Sequence, residues 1–232
     1  MPTWKQNFNN FLNLFLQSSC LLCQRTTSGE FCPYCIKQLK NCQHGDPAAL
    51  WQQAIPVFGW GVYGGIVKRA IAVMKYENQP QIARPLGQWL GEAWLLSKVS
   101  KSKPHPVVVP IPLHPNKQKK RGYNQAALIA ESFCQTTGLK LLANGLKRVQ
   151  ETEAQFGLSA SQREINLASA FTVGTELHSR RINVPILLVD DIYTTGATLR
   201  SAVQTLNQDG IPVLGLAAVT TAVKDKYLKV DR

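Results

Sequence analysis

Acidic side chains and long apolar runs are both scarce in this chain of 232 residues. It has 14 Asp and Glu residues against 26 Lys and Arg, which gives a formal net charge of +12. No segment approaches the roughly 20 apolar residues that a membrane helix needs, and the amino terminus lacks a basic stretch followed by an uninterrupted apolar one. We therefore expect no stable membrane insertion, a cytoplasmic location, and an anionic partner that is a nucleic acid, a polyphosphate or both. Simple solubility is the alternative explanation of the positive charge.

The chain also lacks internal repeats, and its composition divides it into a small head, residues 1–50, and a larger body, residues 51–232. Hydrophobic residues make up 44% of the chain, which is enough for a substantial core. In the body, apolar runs without alternation are typical of parallel strands covered on both faces, and they lie at 57–62, 107–111, 186–189 and 213–219. Helical patterns separate these runs, so we expect an α/β fold with a doubly wound, mostly parallel sheet.

One segment of the body, residues 186–198, predicts a ligand site. Its apolar run is followed by Asp190 and Asp191, which we expect at the carboxyl end of a strand, where open α/β sheets bind ligands. The turn that follows offers free backbone amides and hydroxyl groups before a helix begins near Leu199, and such a helix start attracts phosphate. The turn residues are Thr194, Thr195, Gly196, Ala197 and Thr198. We expect both carboxylates to hold ribose hydroxyls while the turn holds the 5-phosphate.

This segment resembles the phosphoribosyl pyrophosphate (PRPP) motif of type I phosphoribosyltransferases. The match runs through both acids and the Thr-Thr-Gly-Ala-Thr turn, and it implies a sheet of the type I phosphoribosyltransferase kind. The alternative interpretation is an ordinary buried strand whose Asp-rich turn caps a helix.

The head contains two C-x2-C pairs, Cys20 with Cys23 and Cys32 with Cys35. In a cytosolic chain, four thiols in this grouping favour a tetrahedral structural Zn(II) site, which predicts a zinc knuckle. Cys42 and His44 are reserve ligands. Buried free cysteines without a metal, or a redox pair, remain the alternatives.

From the cysteine head through the RGYNQ element at residues 121–125 to the PRPP motif, the chain resembles the ComF family. The resemblance implies PRPP binding with Mg(II), transfer of a phosphoribosyl group to an unknown acceptor, and a part in DNA uptake alongside competence proteins. It also implies a pyrophosphate loop formed by Pro112, Leu113 and His114, with Arg121. Residues 150–163 would form a flexible loop that closes over the reacting sugar. Arg121, Arg163 and Lys75 are candidate clamps for the leaving pyrophosphate, and Asp190, Asp191 and Arg163 are the expected catalytic residues.

The second functional hypothesis is a non-catalytic module that handles single-stranded DNA and keeps a vestigial or regulatory PRPP site. In this case the zinc head and the basic residues 117–121 would contact phosphates, although a solvated basic loop explains the latter equally well. Aromatic residues in or near the head could stack on bases. They are Trp4, Phe31, Tyr34, Trp51 and Trp60. An amphipathic helix is expected before the cysteines, between residues 4 and 16.

Overall fold

The computed structural model describes residues 18–101, 103–150, 170–178 and 184–222. The expected amino-terminal helix and Arg163, with almost all of the expected flexible loop, lie outside these ranges. The described strands are β1 (Ser18–Ser19), β2 (Thr26–Thr27), β3 (Val57–Val62), β4 (Val107–Pro110), β5 (Leu146–Arg148), β6 (Phe171–Val173), β7 (Ile186–Tyr193) and β8 (Val213–Thr221). The described α-helices are α1 (Pro33–Lys40), α2 (Gly65–Tyr76), α3 (Ala83–Leu96), α4 (Pro115–Arg121), α5 (Gln125–Thr137), α6 (Thr175–His178) and α7 (Ala197–Gln208).

The central sheet has the strand order β3-β8-β7-β4, and every neighbouring pair in it is parallel. A parallel bridge between Val108 and Leu141 adds a short extension at the β4 edge. Because all four strands run the same way, their carboxyl ends meet at one edge of the sheet, and the loops after β4 and β7 are neighbours there. The predicted mostly parallel α/β fold is thus confirmed.

Helices cover both faces of this sheet. Leu187 and Val189 of β7 pack into the same buried cluster as residues of α2, α3 and α5, whereas Ile186 and Leu188 pack with residues of α7. Successive side chains of a strand point to opposite faces, so the apolar run of β7 has to serve two cores at once. The same alternation continues into Asp190 and Asp191, because β7 extends to Tyr193 and does not end at residue 189 as expected.

The cysteine head packs directly on the body. Cys20, Cys35 and Leu39 belong to the same buried cluster as Trp60 of β3. The Trp60 ring stacks on Trp89 of α3 with 5.5 Å between ring centroids. On the surface beside them, Arg84 of α3 donates two hydrogen bonds of 2.7 Å to the Glu30 carboxylate. The head is therefore held to α3 by apolar contact and by a bidentate ion pair.

Several described elements were not expected from the sequence. The basic residues 117–121 lie in a helix, α4, rather than in a loop: Pro115 occupies its first turn, and Gly122 ends it with a left-handed φ of 88°. Helix α1 and strand β5 were also missed, because both are short and rich in polar or basic residues. β5 pairs with β6 in a separate antiparallel ladder.

Candidate functional site

A small, open cleft lies at the carboxyl end of β7. Asp190 lies on one side of it, and the whole turn of residues 194–198 forms another. Ile111, Ile192, Tyr193, Leu199 and Leu216 complete its lining. The predicted phosphate-binding turn and one of the two predicted acids are therefore brought together at one opening.

The turn leaves its backbone amides available to a ligand. Among the described residues, no amide from Thr194 to Leu199 donates a hydrogen bond to a protein acceptor. Gly196 has a left-handed φ of 75°, and the Arg200 side chain donates to the Thr195 carbonyl at 2.9 Å. Helix α7 starts at Ala197, so its unpaired amides and the positive end of its dipole face the cleft and suit an anion.

Asp190 is half-buried at the rim of the sheet, and its Oδ1 accepts a hydrogen bond of 2.8 Å from the Asp191 amide. Desolvation is the main cause that holds the pKa of the Asp190 carboxyl well above its ordinary value. The nearby Asp191 carboxyl raises this pKa further, and Lys75 opposes the effect. Asp190 is thus an acid whose charge is costly in the free protein, a feature common at binding sites.

Asp191 points away from the cleft. Its side chain is buried beneath the opposite face of the sheet, where Oδ2 pairs with the Lys75 ammonium and Oδ1 accepts from Gln125 Nε2 at 3.1 Å. The Thr220 hydroxyl donates to the Asp191 carbonyl at 3.1 Å. The expectation that both acids line one pocket is corrected by the geometry: only Asp190 lines the cleft, because neighbouring residues of a continuing strand face opposite ways.

The RGYNQ element, residues 121–125, makes tertiary contacts that were not predicted from the sequence. Arg121 donates to Gln125 Oε1, and the Tyr123 hydroxyl donates to the Met74 carbonyl of α2. Burial raises the Tyr123 pKa. Asn124 caps α5 through the Ala126 amide at 3.1 Å, and it also donates to the Ile111 carbonyl at 3.0 Å. The only signal in the sequence was the polar motif directly before a helical pattern.

The predicted pyrophosphate loop follows β4 and lies beside β7. The Ile111 amide donates to the Val189 carbonyl at 2.9 Å, which ties the start of this loop to the strand of the PRPP motif. His114 Nδ1 accepts from the Asn116 amide at 3.3 Å and caps α4. Pro112 and Leu113 are half-buried at the same edge of the sheet, and their contact with pyrophosphate stays a prediction.

The four cysteines of the head form one cluster. The Sγ atoms of Cys20, Cys23, Cys32 and Cys35 all lie within 4.8 Å of one another, and Cys23 and Cys32 are 3.5 Å apart. A tetrahedron of Zn–S bonds has edges of about 3.8 Å, so these positions suit a metal ion. Cys42 lies outside the cluster, where its thiol donates to the Gln38 carbonyl.

The electrostatics of the cluster favour thiolates at some of its members. Burial alone would raise the Cys20 pKa, but backbone amides of Cys32, Leu22 and Cys23 donate to the sulfur and lower it to about 6. The Cys35 amide lowers the pKa of Cys32 in the same way, whereas burial raises the pKa of Cys35. Amide-to-sulfur hydrogen bonds stabilise the charged form that binds a metal.

His44, the other reserve ligand, and most of the aromatic rings considered for base stacking make contacts within the folded protein. His44 Nε2 lies 2.9 Å from the Thr221 hydroxyl, outside the cysteine cluster. Phe31 and Trp60 are buried, and Trp51 packs edge-on against Trp94 at 5.7 Å. Tyr34 is different, since it is 55% exposed and its ring lies 5.0 Å from the Arg25 guanidinium.

No family model matches the chain. It is similar to competence protein F of Haemophilus influenzae, with 32% identity over 234 residues that cover 91% of this chain and 98% of that protein. The DNA utilization protein YhgH of Escherichia coli is 25% identical, with 82% of this chain and 85% of that protein covered. Competence protein ComFC of Bacillus subtilis is 30% identical over 64% of this chain and 56% of that protein.

Among solved structures, the adenine phosphoribosyltransferase of Leishmania tarentolae matches with a TM-score of 0.39 and 17% identity, covering 64% of this chain and 62% of that one. The described part of the chain has no helix that is both long and apolar enough to cross a membrane. By its end-to-end similarity to the Haemophilus protein, the chain belongs to the competence protein F (ComF) family.

Proposed function

We propose that this protein binds PRPP, as its Mg(II) complex, in the cleft at the carboxyl end of β7. The observation that carries the proposal is the run of unpaired backbone amides in residues 194–199, placed beside the Asp190 carboxyl. A 5-phosphate on the turn would leave the ribose hydroxyls next to Asp190, which can accept hydrogen bonds from them. The pyrophosphate group would then extend toward the loop at 112–114.

The cleft suits a Mg(II) ion that binds as part of the PRPP complex. Asp190 is the one acid among the described residues that line the cleft, and Mg(II) prefers oxygen ligands while it retains several waters. The phosphates would therefore supply most of its ligands. When bound, Mg(II) would neutralise part of the charge on the pyrophosphate.

The chemistry that such a site supports is phosphoribosyl transfer. The bond between C1 and the pyrophosphate oxygen breaks, pyrophosphate leaves with the bonding electrons, and the acceptor forms the new bond to C1 and loses a proton. A carboxylate at Asp190 would oppose the positive charge that develops on the sugar. The acceptor class is left open by this proposal.

Calorimetric titration with PRPP and Mg(II) tests the binding step. Asp190→Asn should weaken binding at least about tenfold, because a charged hydrogen-bond acceptor is lost. Asp209→Asn is the matched control, since Asp209 is exposed at the far end of α7. Absence of binding by the native protein, or equal affinities of the two variants, would reject the site.

We also propose that the cysteine cluster holds a structural Zn(II), because the four thiols fill every position of its preferred tetrahedron. Metal analysis of the purified protein should find about one equivalent of zinc per chain, and none after all four cysteines are replaced by serine.

Single-stranded DNA is the second candidate ligand, and two observations favour it. Tyr34 and Arg25 form an exposed pair on the head that can stack on a base and contact a phosphate. In addition, residues 93–150 carry ten Lys and Arg residues and a single acid, Glu131. The names of the relatives, which refer to competence and DNA utilization, agree with this function.

An oligonucleotide titration in increasing salt tests this second function. Affinity should fall steeply as salt rises, because bound counterions are released. Tyr34→Ala should weaken binding several-fold, whereas Tyr34→Phe keeps the ring and should bind normally. Salt-independent binding, or equal effects of the two variants, would exclude a stacking site on the head.

A further inference from the structure

We infer that Asp191 is a positioning residue and not a ligand of the sugar, so that the two adjacent acids of the PRPP motif have separate tasks. This inference rests on the proposed binding of PRPP beside Asp190. Lys75 and Gln125 hold Asp191 on the opposite face of the sheet, and through it they fix the strand that carries Asp190.

The contacts of Asp191 account for both of its carboxylate oxygens. Oδ2 pairs with Lys75 of α2, and Oδ1 accepts from Gln125 at the first position of α5. Its backbone amide donates to Asp190 Oδ1 at 2.8 Å, so the backbone of one acid orients the side chain of the other. The Asp191 side chain is almost fully buried, and that of Lys75 is only 17% exposed. A sugar bound in the cleft would therefore not reach the Asp191 carboxylate.

The same contacts extend to the predicted pyrophosphate side of the site. Arg121, the last residue of α4, donates to Gln125 Oε1, and this fixes the Gln125 amide with its NH2 group toward Asp191. Helix α4 begins directly after the loop at 112–114. Asp191 thus joins strand β7, helix α2 and the α4–α5 unit at the edge of the sheet where the ligand would bind.

Substituting both partners of a buried ion pair can distinguish a positioning residue from a residue that binds the ligand. Removing one partner leaves the other charge buried and uncompensated, whereas removing both is much less harmful. Lys75→Met should leave the Asp191 carboxylate buried without a cationic partner, because the surrounding residues shield it from water. Asp191→Asn should then relieve the damage that Lys75→Met causes.

The experiment is a double-mutant cycle of Lys75→Met and Asp191→Asn, with Mg·PRPP affinity and thermal unfolding as the two measurements. In the native background, Asp191→Asn should weaken affinity by about three- to tenfold, which lies within the range of coupling measured between residues in contact. In the Lys75→Met background, the same substitution should strengthen affinity and raise the unfolding temperature. If Asp191 instead held ribose hydroxyls, the substitution would weaken binding by a similar factor in both backgrounds, and that result would overturn the inference.

Two controls complete the design. Lys98→Met removes an exposed lysine just after the end of α3 that does not line the cleft, and it should leave both measurements unchanged. Gln125→Met keeps the ion pair but removes the hydrogen bond to Asp191, and it should weaken PRPP binding. Its control is Gln88→Met, at an exposed position of α3, which should leave PRPP binding unchanged.

The outcomes also separate this inference from the proposed function. If the native protein binds no PRPP, the proposed function fails, and the unfolding temperatures alone decide whether Asp191 and Lys75 act as a pair. If PRPP binds and the two substitutions are additive in both measurements, the inference fails while the proposed function stands.

Discussion

Glycine is required at position 196 both by the backbone conformation and by the neighbouring side chains. Its φ of 75° is strained for other residues, and a Cβ there would lie 3.0 Å from the Tyr193 hydroxyl and 3.1 Å from an Arg200 nitrogen. Gly210, at the other end of α7, has a φ of 71° but open space around it. Alanine at either position should cost about 1 kcal/mol of the free energy of unfolding.

Only Gly196→Ala should also weaken PRPP binding, because the displaced Tyr193 and Arg200 side chains adjoin the phosphate-binding turn. Urea unfolding gives the first effect and calorimetric titration the second. Equal PRPP affinities of the two alanine variants would show that the turn does not contact the ligand.

We expect the Asp190 carboxylate to support PRPP binding but to lower the stability of the fold. Its pKa in the folded protein is raised above the ordinary value of 3.8, mainly by desolvation and then by Asp191, while Lys75 acts in the opposite direction. Ionisation therefore costs stability, and the loss grows as pH rises from 3.8 toward the raised pKa. Asp190→Asn should remove this cost and raise the free energy of unfolding at neutral pH by about 0.5–2 kcal/mol.

Thermal unfolding of Asp190→Asn and of the control Asp209→Asn between pH 4 and pH 8 checks this prediction. The stability advantage of the first variant should be small at the acid end and larger at neutral pH. A variant that is less stable than the native protein at neutral pH would show that the Asp190 charge stabilises the fold.

At the scale of elements, the hairpin of β1 and β2 and the start of α1 depend on the cysteine cluster. Removing the metal with a strong chelator should leave four thiols close together without a shared cation, and the thermal unfolding temperature should fall by several degrees. Four additional thiols should then react with a thiol reagent. Cys134 should stay unreactive in the folded protein, because burial raises its pKa to about 12.

The control variant Cys134→Ala should keep its zinc and the full effect of the chelator. If chelation changes neither the unfolding temperature nor the number of reactive thiols, the cluster does not hold a structural metal.

For the whole molecule, the packing predicts that head and body fold together. The division at residue 50, expected from composition, stays a prediction, but Phe31 of the head packs against Trp89 of α3 with 6.2 Å between ring centroids, and Cys35 and Leu39 share one buried cluster with Trp60. Deleting residues 1–50 should expose these large rings and produce a species that aggregates or unfolds without cooperativity.

Circular dichroism melting and size-exclusion chromatography of residues 51–232 provide the test. Glu30→Ala, which breaks only the surface pair with Arg84, is the mild control and should cost less than about 1 kcal/mol of the free energy of unfolding. A shortened chain that is monomeric and melts like the native protein would establish two independent folding units.

Features that depend on neighbours along the chain could be predicted from the sequence alone. Apolar runs without alternation identified the four parallel strands, the spacing of the cysteines identified their cluster, and the turn after β7 followed from its small and hydroxyl-bearing residues. These features are local, because strand propensity, turn geometry and ligand spacing each depend on one short stretch of the chain.

The separate positions of Asp190 and Asp191 depend on the packing of the folded chain and could not be predicted from the sequence. The two acids are adjacent in the sequence, but β7 continues past them, so one faces the cleft and the other faces α2 and α5. Lys75 and Asp191 are 116 positions apart (191 minus 75), and no local pattern relates them. Their pairing arises because the packing of helices on one face of the sheet buries a carboxylate, and a buried charge requires a partner wherever the fold can supply one.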